Sequence, residues 1–141
     1  MADSLPTHLQ LEIVTPDRQV AHGTVDAVTI PGKNGYLGIL PGHAPLLSEL
    51  KTGELVYTGG DFTHYVSVSW GFAEVLADRV IILAETAERA EEIDVERAAR
   101  AMQRAEARLK KFGDPAVDMD RARAALERAT IRLQVARHMR S

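Results

Sequence analysis

The sequence predicts an α+β fold: an N-terminal antiparallel β-sandwich, or flattened barrel, followed by a C-terminal antiparallel α-helical hairpin. Three observations predict it. Short apolar runs of period 2 fill the first 85 or so residues. All ten glycines but Gly113 fall before residue 72, so turn chemistry is concentrated in the same stretch. After residue 85 the vocabulary changes to Ala, Arg, Glu and Leu, which favour helix, with apolar positions three and four apart. The expected division is a sandwich over 1–85, a linker over 86–93 and a hairpin over 94–141, with helices at about 94–112 and 117–138.

The strands follow from alternation. Leu9, Leu11 and Ile13 alternate with Gln10 and Glu12, and Val66, Val68 and Trp70 alternate with Ser67 and Ser69. Each pattern puts the apolar residues on one face of a half-buried strand. The runs end at turn signals: Thr15-Pro16-Asp17, Pro31-Gly32, Pro41-Gly42, Gly53, Gly59-Gly60-Asp61 and Ala77-Asp78. Gly59-Gly60-Asp61 reads as a hairpin tip. In the segment from Gly35 to Leu47, glycine and proline fix special backbone angles, and the apolar residues between them are expected to fill the sandwich. Tyr36 and His43 stand at its two ends, where amphipathic side chains would be offered to a partner.

The helices follow from period and punctuation. Asp94 is placed to cap the first helix by accepting from first-turn amides. Behind it Val95, Ala98, Met102, Ala105, Leu109 and Phe112 form one apolar stripe. Gly113 stops the helix, and Asp114-Pro115 prevents its continuation. Met119, Ala122, Leu126, Ala129, Leu133 and Ala136 repeat the spacing, which makes an antiparallel pair. Five of these twelve positions are alanine, so the seam is close-fitting but thin, because each buried alanine removes little apolar area from water.

Composition narrows function. The chain has 141 residues, 45% hydrophobic and 26% charged, which is an ordinary globular balance. With no cysteine, disulfides, thiolate metal sites and a cysteine nucleophile are excluded. The longest apolar run, Val80 to Ala84, is far below the roughly 20 residues of a membrane span, and Met1-Ala2-Asp3-Ser4 carries no secretion signal, so an intracellular protein without its own membrane segment is expected. Through Ile93 there are five basic and thirteen acidic residues, a net of −8; from Asp94 there are twelve basic and seven acidic, a net of +5. Two parts with different partners are the simplest explanation.

Catalytic motifs are missing. Gly32-Lys33 fails as a phosphate-binding loop because Ala27 stands for its first glycine and Asn34 for its Ser or Thr. No two of His8, His22, His43, His64 and His138 lie three or four apart, so no helical metal pair is expected. A nucleophile elbow is absent too. The arginine-rich hairpin is not interleaved with stacking aromatics and has no groove-reading motif, so an acidic protein surface is expected in preference to nucleic acid.

Three blocks carry a resemblance: GYLGILPGHAPLL from Gly35 to Leu47; Trp70-Gly71-Phe72-Ala73-Glu74-Val75 followed by Val80-Ile81-Ile82-Leu83-Ala84; and Ile93-Asp94-Val95-Glu96-Arg97-Ala98. With the order sandwich then hairpin, the chain resembles the epsilon subunit of F-type ATP synthases, called delta in mitochondria. The resemblance implies a non-catalytic central-stalk subunit that sits with the gamma subunit between the catalytic head and the c-ring. It implies a sandwich that grips gamma with one face and the polar loops of the c-ring with one end, Tyr36 and His43 being the contact candidates. The basic hairpin would meet the catalytic alpha and beta subunits and block ATP hydrolysis when extended. The implied location is peripheral, through the complex, on the cytoplasmic face of the bacterial plasma membrane. Two positions depart from the family pattern: Trp70 replaces the first of a glycine pair, and Tyr36 stands where relatives often carry an acid.

In some bacterial members the I/L-D-x-x-R-A motif binds ATP and holds the hairpin folded. Carried onto this chain, Glu88, Asp94 and Arg97 become nucleotide-facing polar positions, Ile93 and Ala98 an apolar wall, and Arg128 and Arg132 the remaining basic positions. An arginine fork suits phosphate oxygens, and a carboxylate can accept from an adenine amine or ribose hydroxyl. ATP is then a regulatory ligand, and no cofactor is required. The plain alternative is that Asp94 caps the helix and Arg97 is a solvated residue one turn later. At the level of function the alternatives are a freestanding ATP-sensing or protein-interaction module, which would not co-purify with gamma, and a histidine-lined barrel enzyme, which would contain metal.

Overall fold

The computed structural model describes residues 5–139. Eight strands come first: β1 (Leu9–Val14), β2 (Gln19–Val25), β3 (Ala27–Gly32), β4 (Gly35–Ile39), β5 (Leu46–Leu50), β6 (Gly53–Gly59), β7 (Phe62–Val75) and β8 (Arg79–Arg89). A 3-10 turn at Ala90–Glu92 leads into α1 (Val95–Leu109) and α2 (Met119–Arg137). The strands run in the order β2-β1-β8-β7-β5-β3-β4, with β6 joining β3 to β7. The expected sandwich and helical hairpin are both present. One strand pair, β1 with β8, is parallel, and every other pair is antiparallel. Alternation specifies faces but says nothing about which strand lies alongside, so this pairing had no signal in the sequence.

The core gathers the inward residues of both layers, including Leu9, Ile13, Ile30, Ile39, Leu50, Leu55, Val66 and Ile82, all fully buried. In the Gly35–Leu47 segment Ile39 belongs to it and Leu46, partly buried, packs against it. Leu37, Leu40 and Leu47 are exposed, so the expectation that this segment fills the sandwich holds for Ile39 and in part for Leu46. Gly60-Asp61 forms the two-residue turn between β6 and β7, with Gly60 at φ +55° and its N–H donating to Asp26 Oδ2 at 2.8 Å.

Strand β7 spans two layers. Its first half pairs with β6 through Val68, and its second half pairs with β5 from Gly71 onward. A strand changing sheets needs a bend at the corner, and here the bend falls at Trp70-Gly71, with φ of +54° and +144°. The inward phase flips there: Val66 and Val68 are buried before it, Ala73 and Val75 after it. Trp70 is therefore 43% exposed and outside the core, not inward with Val66 and Val68 as the alternation predicts. A Cβ on Gly71 would lie 1.9 Å from the Leu83 carbonyl oxygen, so only glycine fits that position. At Trp70 a left-handed backbone costs an L-residue roughly 1–2 kcal/mol.

Strand β8 continues to Arg89, so residues 86–89 of the expected linker are strand and the connection shrinks to the 3-10 turn and two residues. Asp94 caps α1, its Oδ1 accepting from the Arg97 amide at 3.0 Å, and Asp118 caps α2 in the same way from Arg121 at 3.1 Å. Helix α1 ends at Leu109, three residues before the expected stop. Phe112 consequently leaves the apolar stripe and stands 88% exposed in the turn beside Gly113 at φ +87°. Ala98, Ala105, Ala122 and Ala129 are buried where the helices meet, which is the thin seam the spacing predicts.

Candidate functional site

The junction between sandwich and hairpin is built around Glu92. Arg18, in the turn after β1, donates Nη1 to Glu92 Oε1 at 2.8 Å and Nη2 to Oε2 at 2.7 Å. Arg89, at the end of β8, donates Nη2 to Oε1 at 2.7 Å and its backbone N–H to Oε2 at 3.1 Å. The hydrogen bonds from Arg18 first, and then those from Arg89, hold the Glu92 carboxyl well below the usual carboxylate range, overcoming burial, which acts the other way. The same pairing raises the Arg18 and Arg89 guanidinium groups above their ordinary value. The clamp fixes the 3-10 turn, and with it the start of α1.

Next to the clamp a cleft of about 520 Å³ opens between the β1–β2 turn, β8 and the two helices. That is within the range of about 300–1,000 Å³ usual for small-molecule sites. Of the residues singled out from the sequence, Glu88, Ile93, Asp94, Arg97, Ala98 and Arg132 all line it. Arg128 does not; it borders a smaller cavity of about 10 Å³, with Arg132 and Ile131, against Thr52, Ser67, Ser69 and Thr86. Within the cleft, Arg132 Nε donates to Glu88 Oε1 at 2.6 Å. One Asp94 oxygen is engaged in the helix cap. Arg97 and Arg128 have no side-chain hydrogen bond or ion pair among the described residues, which leaves two guanidinium forks without a protein anion.

Two lining arginines were missed by the sequence reading. Arg104 lies two turns after Arg97 on α1, so the helical repeat alone could have indicated it. Arg18 reaches Glu92 across 74 residues of chain, and no local pattern signals that.

Several contacts between the hairpin and the sandwich are polar. Besides Arg132 with Glu88, His138 Nε2 lies 2.7 Å from Glu54 Oε1, and its ring stacks on Tyr65 with centroids 3.5 Å apart and planes 6° apart. Under α2, Ser67, Val68 and Ser69 are buried, and Ser69 hydrogen-bonds Thr52 at 2.8 Å. Val135 and Ala136 supply the buried apolar part from the helix.

Tyr36 and His43 are placed apart. The Tyr36 hydroxyl accepts from the Glu54 amide at 3.2 Å, and its half-exposed ring lies 5.9 Å from Lys51 Nζ, so from β4 it packs beside the β5–β6 connection. His43 lies in the loop after β4, which is tied to the β7–β8 turn by the Gly42 amide donating to the Ala77 carbonyl at 2.7 Å. Its Nδ1 lies 2.7 Å from the Ala44 carbonyl oxygen.

A further surface is bare. On the second half of β7 and its neighbours, Phe72 is 50% exposed, Leu83 54% and Leu47 70%. Phe72 and Leu83 are register partners, and Leu47 is paired with Glu74.

Comparison with known proteins gives a consistent result. Residues 8–90 match the beta-sandwich domain of the ATP synthase delta/epsilon chain, and residues 91–137 match its long alpha-helix domain. The ATP synthase epsilon chain of Koribacter versatilis is 58% identical over 113 residues, covering 80% of this chain and 77% of that one. That of Geotalea uraniireducens is 48% identical over 128 residues, covering 91% and 93%. Among solved structures, a chain of the Euglena gracilis mitochondrial ATP synthase, from an OSCP/F1/c-ring assembly, superimposes with a TM-score of 0.82 at 30% identity, covering 96% of this chain and 85% of that one. A chain of the Tetrahymena thermophila mitochondrial ATP synthase central stalk and c-ring gives 0.54 at 13% identity, covering 98% and 100%, a likeness of fold alone.

Proposed function

This chain belongs to the ATP synthase delta/epsilon family, and from that membership we propose that it is a non-catalytic rotor subunit, coupling gamma to the c-ring and restraining ATP hydrolysis through its helices. The observation that carries the regulatory half is the polar seat of the hairpin. A surface of Ser67, Ser69, Thr52 and Glu88 can be returned to water with little loss, because hydroxyls and carboxylates regain hydrogen bonds there. A sheet face of leucines in the same place would hold α2 permanently. The hairpin can therefore leave the sandwich and, with its net positive charge, reach acidic surfaces on the catalytic alpha and beta subunits.

The cleft favours the docked state when it is filled. Its arginines suit the phosphates of ATP, Arg97 having no protein anion of its own, while Ile93 and Ala98 form an apolar wall. Glu88 and Asp94 have acceptor capacity for an amine or hydroxyl. Because the cleft is bounded by β8, α1 and Arg132 of α2 together, ATP bound there would stabilise only the folded arrangement. ATP acts in this reading as a regulatory ligand and not as a substrate.

The sandwich is the coupling part. The loop carrying His43, with exposed Leu40 beside it, is offered to the polar loops of the c-ring, and the exposed ring of Tyr36, at the start of β4, provides a second contact. Gamma is gripped by the bare face around Leu47, Phe72 and Leu83. No helix among the described residues is long and apolar enough to cross a membrane, so attachment to the cytoplasmic face of the bacterial plasma membrane would be peripheral, through the complex.

Removing residues 94–141 tests this division. The truncated subunit, reconstituted into the complex, is expected to support ATP-driven proton pumping while the ATPase rate rises. Loss of pumping would show that the helices are needed for coupling and would overturn the reading.

A further inference from the structure

Trp70 is the one non-glycine residue with positive φ among those described. Its neighbour Gly71 is sterically required, but nothing in the corner requires an indole: Trp70 is outside the core, and a glycine there would relax the backbone. Strain that packing does not explain points to a role outside the chain. Exposed further along the strands are Phe72, Leu83 and Leu47, with the exposed acids Glu49, Glu74 and Glu85 among them, Glu49 being paired with Lys33 at 3.2 Å. Glu49 and Glu74 are register partners of Phe72 and Leu47. An exposed indole two residues before the exposed Phe72, whose strand pairs carry the exposed Leu83 and Leu47 and exposed acids, has the make-up of an interface centre and rim.

We propose that Trp70 is the anchor of the gamma interface: the corner presents its indole outward to fill a pocket on gamma, whose contact surface is apolar at the centre and basic at the border. This rests on the reading above that gamma is held against this face. The hairpin is not the occupant, because α2 is already seated over the first half of β7, at Tyr65 and Ser67. A second copy of the chain fits poorly, because it would bring Glu74 and Glu85 near the same two acids, Glu49 being paired with Lys33.

The test compares the full-length chain with Trp70→Gly and Trp70→Ala, measuring thermal midpoint alone and affinity for a purified complex of alpha, beta and gamma subunits. Both variants lack the indole and are expected to bind at least 30-fold more weakly than the parent. Only the glycine variant relaxes the corner, so it is expected to melt about 3–6 °C above the alanine variant. If the parent binds and both variants bind within threefold of it, Trp70 is not the anchor, although gamma remains the partner. Equal midpoints for the two variants would overturn the strained-corner argument. A parent that fails to bind the gamma-containing complex, or whose Trp70 instead drives self-association in sedimentation, removes the gamma reading itself.

Discussion

Glu92 joins three pieces of chain through one carboxylate: the turn carrying Arg18, the end of β8 at Arg89, and its own 3-10 turn. Folding lowers its proton affinity, so the stabilisation it provides is fully present above the ordinary carboxylate value of about 4.3 and is lost as the pH falls below it toward the folded value. Both arginines are about 40% exposed, and solvent screening limits the contribution to about 1–2 kcal/mol. Glu92→Gln should therefore lower stability by that amount at pH 7, measured by urea denaturation. The gap to the parent should narrow as the pH drops from about 5 toward 2. A gap that stays constant across that range would mean the charge on Glu92 is not the cause.

At the scale of elements, the hairpin has two interfaces of different character. The buried residues of α1 are Ala98 and Ala105, and α2 buries Ala122 and Ala129 besides Val135 and Ala136, so the contact between the helices is close but small in area. Between α2 and the sandwich it includes the Glu88–Arg132 ion pair and the Glu54–His138 hydrogen bond. Neither interface binds α2 firmly, so its opening free energy should lie well below that of the sheet. Glu88→Gln is expected to speed hydrogen exchange of α2 amides near Val135 at least tenfold, corresponding to about 1.4 kcal/mol, while β1 and β8 exchange as before. Equal acceleration in helix and sheet would indicate that the two unfold as one unit.

The whole molecule is polarised: a net of −8 through residue 93 and +5 after it. That difference holds the hairpin near the sandwich at long range yet leaves a strongly basic element to compete for other acidic surfaces, more so at low salt. ATP should tip this competition toward docking. In the isolated chain, ATP at tenfold over its Kd is expected to raise the thermal midpoint by roughly 3–6 °C. Arg97→Gln and Arg132→Gln should abolish the rise. An unchanged midpoint at millimolar ATP in the parent would remove nucleotide from the account and leave the hairpin governed by protein contacts alone.

The sequence by itself determined what depends on near neighbours. Strand alternation, the Gly60-Asp61 tip, the Asp94 cap and the alanine seam are all written within a few residues of chain, because sheet and helix periods repeat at that range. Of the candidate cleft, local pattern made Asp94 legible only as a helix cap, and Glu88, Ile93, Arg97, Ala98 and Arg132 were indicated through the family resemblance alone. What only the tertiary structure decided are meetings across long separations. These include Arg18 with Glu92, the parallel register of β1 on β8, and the phase flip at Trp70 where β7 changes partner. Exposure of Leu47 and Phe72 is of the same kind. Apolarity indicates that a residue should be covered, but the covering surface is fixed by packing in three dimensions, and here that surface belongs to another molecule in the proposed assembly.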